Sequence, residues 1–447
     1  MPSGGSSRPR QSGLRRLLAT SLLTRIAGAG AAFGLHALLA RLLGADQYGI
    51  YSYVLACLGI AVLLASLGLD LSLVRFVAAY RARAAWPELA GLWRWSGRMV
   101  LAGACVIAGV AFVSLGFLGR GLDPSLARTG WIACGVLPAA ALLRLGEARL
   151  LGLKRVGEAH LPDGVLRPAV TAGLVAFTVG VLGVSLSSSL AMGLHLLAIS
   201  GAAALVLALG RRAFRLVPRD VEARYAAGTW MRVSLPLWGT AGLRVLSDRL
   251  DIILVGALLG MAEAGVFAVA SRLAELTVFG AHASQVAARP HIAEAHARSD
   301  TRAVRNAVTV AATWATVFAV GVGLVLIAGR MPVLEVFGAE FVAGAAVLVI
   351  LATANLAAAS TALVDSVLVM TGHELVNARI TAAILALKLP LMWMAIGSWG
   401  IEGAALAVAG TTILGRLWGW VYVRRRLGVD GTVLGWFHRR RHGPARP

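Results

Sequence analysis

Arginines, carboxylates and one histidine lie inside long apolar runs of this 447-residue chain, several of them at helical spacing. At 100° per residue Arg25 and His36 stand about 20° apart, so one stripe of a helix carries both. Arg244, Asp248 and Asp251 follow i, i+4, i+7 on another stripe, with Arg249 about 140° away. Arg144 with Glu147, and Arg272 with Glu275, repeat an i, i+3 spacing. A charge in hydrocarbon costs roughly 2.5–3.5 kcal/mol on insertion scales, so each such residue faces a partner or water. Two chemistries follow. The acids and bases neutralise one another within each helix and fix its rotation, or the guanidinium groups receive a phosphate or diphosphate, whose oxygens match their planar donors. Arg25 has no acid in its own run, which favours the second. His36 fits substrate or proton handling as well as a simple hydrogen bond. The anion-binding candidates are therefore Arg25, His36, Arg144, Arg244, Arg249 and Arg272. Glu147, Asp248, Asp251, Glu275 and Asp365 are the charge-pair or coupling candidates. Asp365 can exchange a proton or hold a monovalent cation, but one carboxylate is no ion site by itself. Lys388 is a further intramembrane charge, and Asp70 and Arg416 lie near enough to span ends to snorkel.

The elements that must position these groups follow from composition. Apolar residues make up 58% of the chain and charged ones 14%, with a mean hydropathy of +0.78, which excludes a water-soluble enzyme. Apolar windows of about 20 residues fall at 22–42, 50–74, 98–118, 129–149, 165–184, 189–210, 231–258, 264–288, 306–329, 342–370, 378–397 and 402–423. The net charge is +21, and 40 of the 42 basic residues are Arg. Counted on alternate connections, 31 of the 42 fall on one side and only Arg41, Arg120, Arg128 and Arg330 on the other. That asymmetry orients membrane spans and is not a nucleic-acid face; it puts both termini in the cytoplasm. The first span is expected to be retained, without a cleaved leader. Cys57, Cys105 and Cys134 sit in apolar runs and read as small core residues. The segment 75–98, with three Trp and several Arg, has the composition of an amphipathic stretch at an anionic leaflet.

The fold class expected is an all-α polytopic membrane protein of about twelve spans. Its organisation is a basic cytoplasmic arm at 1–16, a six-helix bundle at 17–210, a cytoplasmic linker at 211–230, a second bundle at 231–425 and a basic tail at 426–447. An offset of 216 superimposes "LLGADQYGIY" at 42–51 on "LLGMAEAGVF" at 258–267. Six spans separate the copies, so the halves keep one orientation and relate by a pseudo-twofold axis along the membrane normal, framing a cavity. No nucleotide-binding G-x-x-x-x-G-K-[ST] loop occurs. "HELVN" at 373–377 lacks the second histidine of a zinc helix and "HIAEAH" at 291–296 reads as solvated surface, so no metal or catalytic site is assigned.

The run 38–83, "LLARLLGADQYGIYSYVLACLGIAVLLASLGLDLSLVRFVAAYRAR", resembles the first helix pair of bacterial polysaccharide flippases of the multidrug/oligosaccharidyl-lipid/polysaccharide exporter superfamily. "SDRLDIILVGALLGMAEAGVFAVASRLAEL" at 247–276 is similar to the start of their second bundle, and "VLVMTGHELVNAR" and "GIEGAALAVA" to the ends of spans ten to twelve. The resemblance implies two six-helix lobes with alternating access, moving an undecaprenyl-diphosphate-linked saccharide to the outer leaflet of the bacterial inner membrane. It implies no resident cofactor, coupling to a proton or monovalent cation, and membrane lipids and polysaccharide-assembly proteins as partners, with no nucleic acid. A cation-coupled multidrug-type antiporter of the same architecture is the alternative, disfavoured by the intramembrane Arg. A saccharide polymerase or ligase is disfavoured by the short outer loops, and an inactive scaffold acting through the basic tail is the last reading.

Overall fold

A computed structural model describes residues 8–215, 217–218, 220–298 and 300–428, with side chains from residue 27 onward except 118, 120, 301 and 427. Residues 1–7 of the expected arm and all but the start of the 426–447 tail lie outside it. The described residues form α-helices joined by short turns, and no strand occurs among them. The first half runs α1 (Arg8–Ser66), α2 (Leu69–Ala82), α3 (Trp86–Leu118), α4 (Pro124–Gly152), α5 (Val156–Leu161), α6 (Arg167–Gly180) and α7 (Ser188–Phe214). The second runs α8 (Ala227–Leu258), α9 (Met261–Glu275), α10 (Phe279–Ala297), α11 (Thr301–Ala328), α12 (Arg330–Glu335), α13 (Ala345–Ala359), α14 (Val364–Met370) and α15 (Glu374–Leu427).

Eight of the described helical stretches are long and apolar enough to cross a bilayer. Two of them hold two expected spans each. α1 is broken at Gly44 (φ 71°) and α15 at Trp399 and Gly400, so one long helix on paper is two in space. The remaining two expected spans are α6, only 14 residues long, and α8, whose charges lower its hydropathy. The chain is an all-helical multi-pass membrane protein. Its lipid face shows in the outward apolar residues of α3 and α11: Phe117 is 78% exposed and Trp314 68%. Such surfaces are stable only against hydrocarbon. Some helix starts carry a side-chain cap. The Asp123 carboxylate accepts from Ser125 N and Leu126 N at 2.7 and 3.1 Å, and Asp300 accepts from Ala303 N at 2.8 Å, each satisfying orphan donors of a first turn.

Two compact units are present. The first comprises 1–43 and 50–249, the second 44–49 and 250–447. The first unit thus extends past the 211–230 segment to Arg249, because the first half of α8 packs on α1 and α2. Gly68 (φ 73°) lets the backbones touch: a Cβ there would stand 2.4 Å from Ser234 O. Ser72 Oγ and Ser234 Oγ are 2.6 Å apart, and Trp238 Nε1 donates to Leu63 O at 2.9 Å. The tryptophans of 75–98 do not stand on a separate helix. They begin α3 and pack inward, Trp93 on Phe214 (ring centroids 4.6 Å) and Trp95 on fully buried Trp230 (5.3 Å). Trp230 Nε1 in turn donates to Tyr80 Oη at 3.0 Å. The neighbouring helices supply the surface on which these indole rings bury their area.

In the second unit α9 is buried on nearly every side, with Ala264, Ala268, Val269 and Ala270 at 0% exposure. A separate Ala-rich core of α10, α11 and α14 includes Ala288, Ile292, Val308, Ala312, Leu363 and Val367. Small residues permit the close helix approach that replaces a hydrophobic driving force in lipid. The repeat at offset 216 is visible here. Gly44 and Gly260 (φ 125°) both turn the chain at positive φ into a new helix. The two helix starts meet reciprocally: a Cβ on Gly49 would lie 1.6 Å from Met261 O, and one on Gly265 would lie 2.2 Å from Ala45 O. Ala45 N also donates to Glu340 Oε2 at 2.7 Å, a carboxylate from a distant turn capping this helix start. Glu340→Ala is expected to cost about 1 kcal/mol and Glu340→Gln less, read by thermal unfolding of the purified protein.

Candidate functional site

The charged groups of the spans are placed by packing between helices. In the first unit Arg144 on α4 reaches Asp70 in the first turn of α2, Nη1 to Oδ2 at 3.8 Å. Its ion pair therefore leaves the helix and is not the i, i+3 contact with Glu147 that spacing suggested. Glu147 is half-buried, and the charges that act on it are Asp163, Arg144 and Arg167. Arg167 Nε itself donates to Asp163 Oδ1 at 2.5 Å. Asp70 is thus a partner of this cluster rather than a snorkelling residue: it lies in the first turn of α2, which packs along α4 and brings the carboxylate to the guanidinium.

Along α8, Arg244 and Asp248 are exposed and Arg249 is half-buried. Arg244 forms no ion pair with any described residue, so the Arg244 and Asp248 stripe is not a neutralised pair. Asp248 and Arg249 are engaged by neighbours. Gly59 makes room for Arg249: a Cβ there would lie 3.2 Å from its Nε. His36 is half-buried and also engaged. Arg25 lies on α1, and its side chain falls outside the described residues.

In the second unit Asp251, placed by spacing on the Arg244 stripe, pairs instead with Lys388 of α15 at 2.5 Å, with side chains 14% and 7% exposed. Asp365 meets Arg416 at 2.5 Å, so a residue expected to snorkel supplies the counter-ion. Arg272 on α9 is the contrast. It makes no ion pair with a described residue, and its Nε is buried without a hydrogen-bond partner. Glu275, i+3 on the same helix, is exposed and engaged by another residue. Of the three intrahelical pairs that spacing allowed, none forms. The pairs that Arg144, Asp251 and Asp365 do form each join residues far apart in sequence.

Two groups escaped the reading of the sequence. Arg149, at the end of α4, is 5% exposed, although with Lys154 and Arg155 it counted among the basic residues of a connection. His195 on α7 is 4% exposed, with Nδ1 3.3 Å from Tyr51 Oη. No local pattern distinguishes either from its neighbours.

Among solved structures, an inward-facing multidrug resistance MATE family transporter of the MOP superfamily matches with a TM-score of 0.72 at 15% identity, covering 90% of this chain and 94% of that one. The lipid II flippase MurJ in an inward closed conformation gives 0.71 at 11% identity, covering 91% and 87%. A MOP superfamily transporter from Pyrococcus furiosus gives 0.62 at 13%, covering 92% and 95%. These likenesses establish the fold. No curated protein matches in sequence. Residues 16–296, well over half of the chain, match the family described as polysaccharide biosynthesis protein, and with the fold in place the chain belongs to that family.

Proposed function

We propose that this protein is a flippase that carries an undecaprenyl-diphosphate-linked saccharide from the cytoplasmic to the outer leaflet of the bacterial inner membrane by alternating access. Arg272 carries the reading. A guanidinium on a membrane-spanning helix, with its Nε buried and unpartnered and no carboxylate bridging it among the described residues, lacks the neutralisation that insertion ordinarily requires. An anionic cargo would supply it during transit. Arg244, likewise without an ion pair among the described residues, is suited to the same role, and Arg25 is assigned with them from its sequence position. A diphosphate cannot enter hydrocarbon unaided, and planar guanidinium donors replace the water it loses. The family to which the chain belongs, and its fold likeness to a lipid II flippase, both support the substrate class. Both termini are placed in the cytoplasm by the positive-inside asymmetry, and transport is driven by a proton or monovalent-cation gradient. Polysaccharide-assembly proteins are the expected partners.

A multidrug-type antiporter is the second reading, favoured by the fold likeness to a MATE family transporter. Reconstitution into liposomes with a fluorescent lipid-diphosphate saccharide, following its accessibility in each leaflet with and without an ion gradient, separates the two. Arg272→Ala should slow movement at least about tenfold, the cost of one charged hydrogen bond, with the amount of folded protein unchanged. Arg25→Ala should act in the same direction. Wild-type rates in both variants would reject the cationic assignment, and transport of an organic cation without movement of the lipid would favour the antiporter.

A further inference from the structure

A cavity of about 310 Å³ opens within the first unit where α3, α4 and α7 meet. Its polar lining includes Arg94, Arg98, Arg149 and Arg211, and no carboxylate among the described residues contributes to it. Arg149 forms its back wall at 5% exposure. The Arg149 guanidinium lies 4.5 Å from the Trp93 ring centroid, and Nη2 donates to Trp93 O at 2.5 Å and Ser96 Oγ at 3.1 Å. These contacts are all neutral. Nε is buried with no hydrogen-bond partner, and no described carboxylate bridges the group. A cation this deeply buried among neutral partners leaves its charge uncompensated.

The surroundings make space for the missing anion. Gly97 and Gly210 stand where a side chain would fill the cavity: a Cβ on Gly97 would lie 3.1 Å from Arg149 Nη2, and one on Gly210 would lie 3.4 Å from the Trp93 ring. Arg98 and Arg211 are exposed at the mouth. Arg94 also borders a second cavity, lined by Asp220 and Glu222, so its charge is shared. Leu101, Val206 and Leu207 continue the wall as hydrocarbon, and Leu101 is 40% exposed. Arg149 and Arg211 lie in or beside the last turns of α4 and α7, where the macrodipole favours cations. That explains why arginines stand at these helix ends. It does not satisfy a buried Nε.

We infer that this cavity binds the phosphate of an anionic membrane phospholipid, with Arg98, Arg149 and Arg211 around the headgroup and the acyl chain leaving along Leu101. Basic pockets between spans at the interfacial level are suited to such headgroups, and the adjoining apolar wall favours a lipid over a free phosphate. The lining includes neither Arg272 nor Arg244, so its test is independent of the transport assignment.

The test is binding of phosphatidylglycerol to the purified full-length protein in neutral detergent, followed by native mass spectrometry and by the lipid-induced shift in melting temperature. Phosphatidylcholine and millimolar inorganic phosphate are the parallel arms. Phosphatidylglycerol should bind and stabilise the wild type, phosphatidylcholine at least tenfold more weakly. Arg98→Gln with Arg211→Gln, both at exposed positions that folding tolerates, should lower phosphatidylglycerol affinity about tenfold or more. Arg83→Gln, which removes one positive charge from an exposed turn outside the cavity, should bind as the wild type does. Gly97→Leu, which fills the space in front of Arg149, should also lose binding if it remains folded. Equal losses in Arg83→Gln and the double variant would reduce the effect to diffuse surface charge. Unchanged binding in the double variant, or full stabilisation by inorganic phosphate alone, would overturn the lipid site.

Discussion

Gly49→Ala and Gly265→Ala are each expected to cost at least about 3 kcal/mol, the upper end of overpacking, with most of the protein lost from the folded, detergent-soluble fraction. The added methyl has nowhere to go. At Gly49 it would stand 1.6 Å from the Met261 carbonyl oxygen and at Gly265 2.2 Å from that of Ala45. Both obstacles are backbone, so no side-chain rotation relieves them, and the two helix starts must separate. Separation would also move Ala45 N away from Glu340 Oε2, now 2.7 Å distant. Because both substitutions break one contact, the double variant should lose less than the two single losses added together. Gly201→Ala on α7 is the control: nothing lies within 4 Å of its Cβ position, and Ala is the better helix former. A melting temperature for Gly49→Ala within a degree or two of wild type would mean that these helix starts are not in contact.

Lys388→Met should destabilise by about 3–5 kcal/mol, the usual result of stranding one member of a buried ion pair. The ammonium lies 2.5 Å from Asp251, and the two side chains are 7% and 14% exposed. Water cannot hydrate the carboxylate left behind without opening the packing of α8 on α15. Asp251→Asn should cost less, because the amide still accepts a hydrogen bond from the ammonium. Combining Lys388→Met with Asp251→Leu should recover most of the loss, since two apolar groups of similar volume need no counter-ion. A thermal double-mutant cycle measures this directly. Additive losses, or a single-variant cost below about 1 kcal/mol, would show that the pair is hydrated and contributes little. Arg416 and Asp365, at 30% and 38% exposure, provide the comparison: Asp365→Asn should cost under about 1 kcal/mol, as partly solvated pairs do.

Much of the fold was legible in the sequence because a membrane demands a local solution. Each span must satisfy its own backbone hydrogen bonds and present hydrocarbon to lipid, so apolar runs of adequate length mark helices one at a time. The weakly apolar α8 was found the same way, despite its charges. The offset-216 repeat was legible too, since Gly44 and Gly260 are glycines for a backbone reason that a sequence displays. The candidate site was legible as a set of residues and not as an arrangement. Helical spacing put Asp251 with Arg244, and Glu147 with Arg144. The structure put Asp251 with Lys388 and Arg144 with Asp70.

Composition, span positions, the repeat and the identity of the intramembrane charges are thus properties of the chain taken in order. They depend on the cost of polar groups in hydrocarbon, which each segment meets independently. Which charge neutralises which, why Arg149 is buried while Arg98 is exposed, and why Arg272 keeps an unpartnered Nε were decided only by tertiary packing. Coulombic pairing depends on distances between helices. Those distances are set by small residues such as Gly49, Gly68 and Gly265, where backbones touch, and no periodicity within a single helix records them.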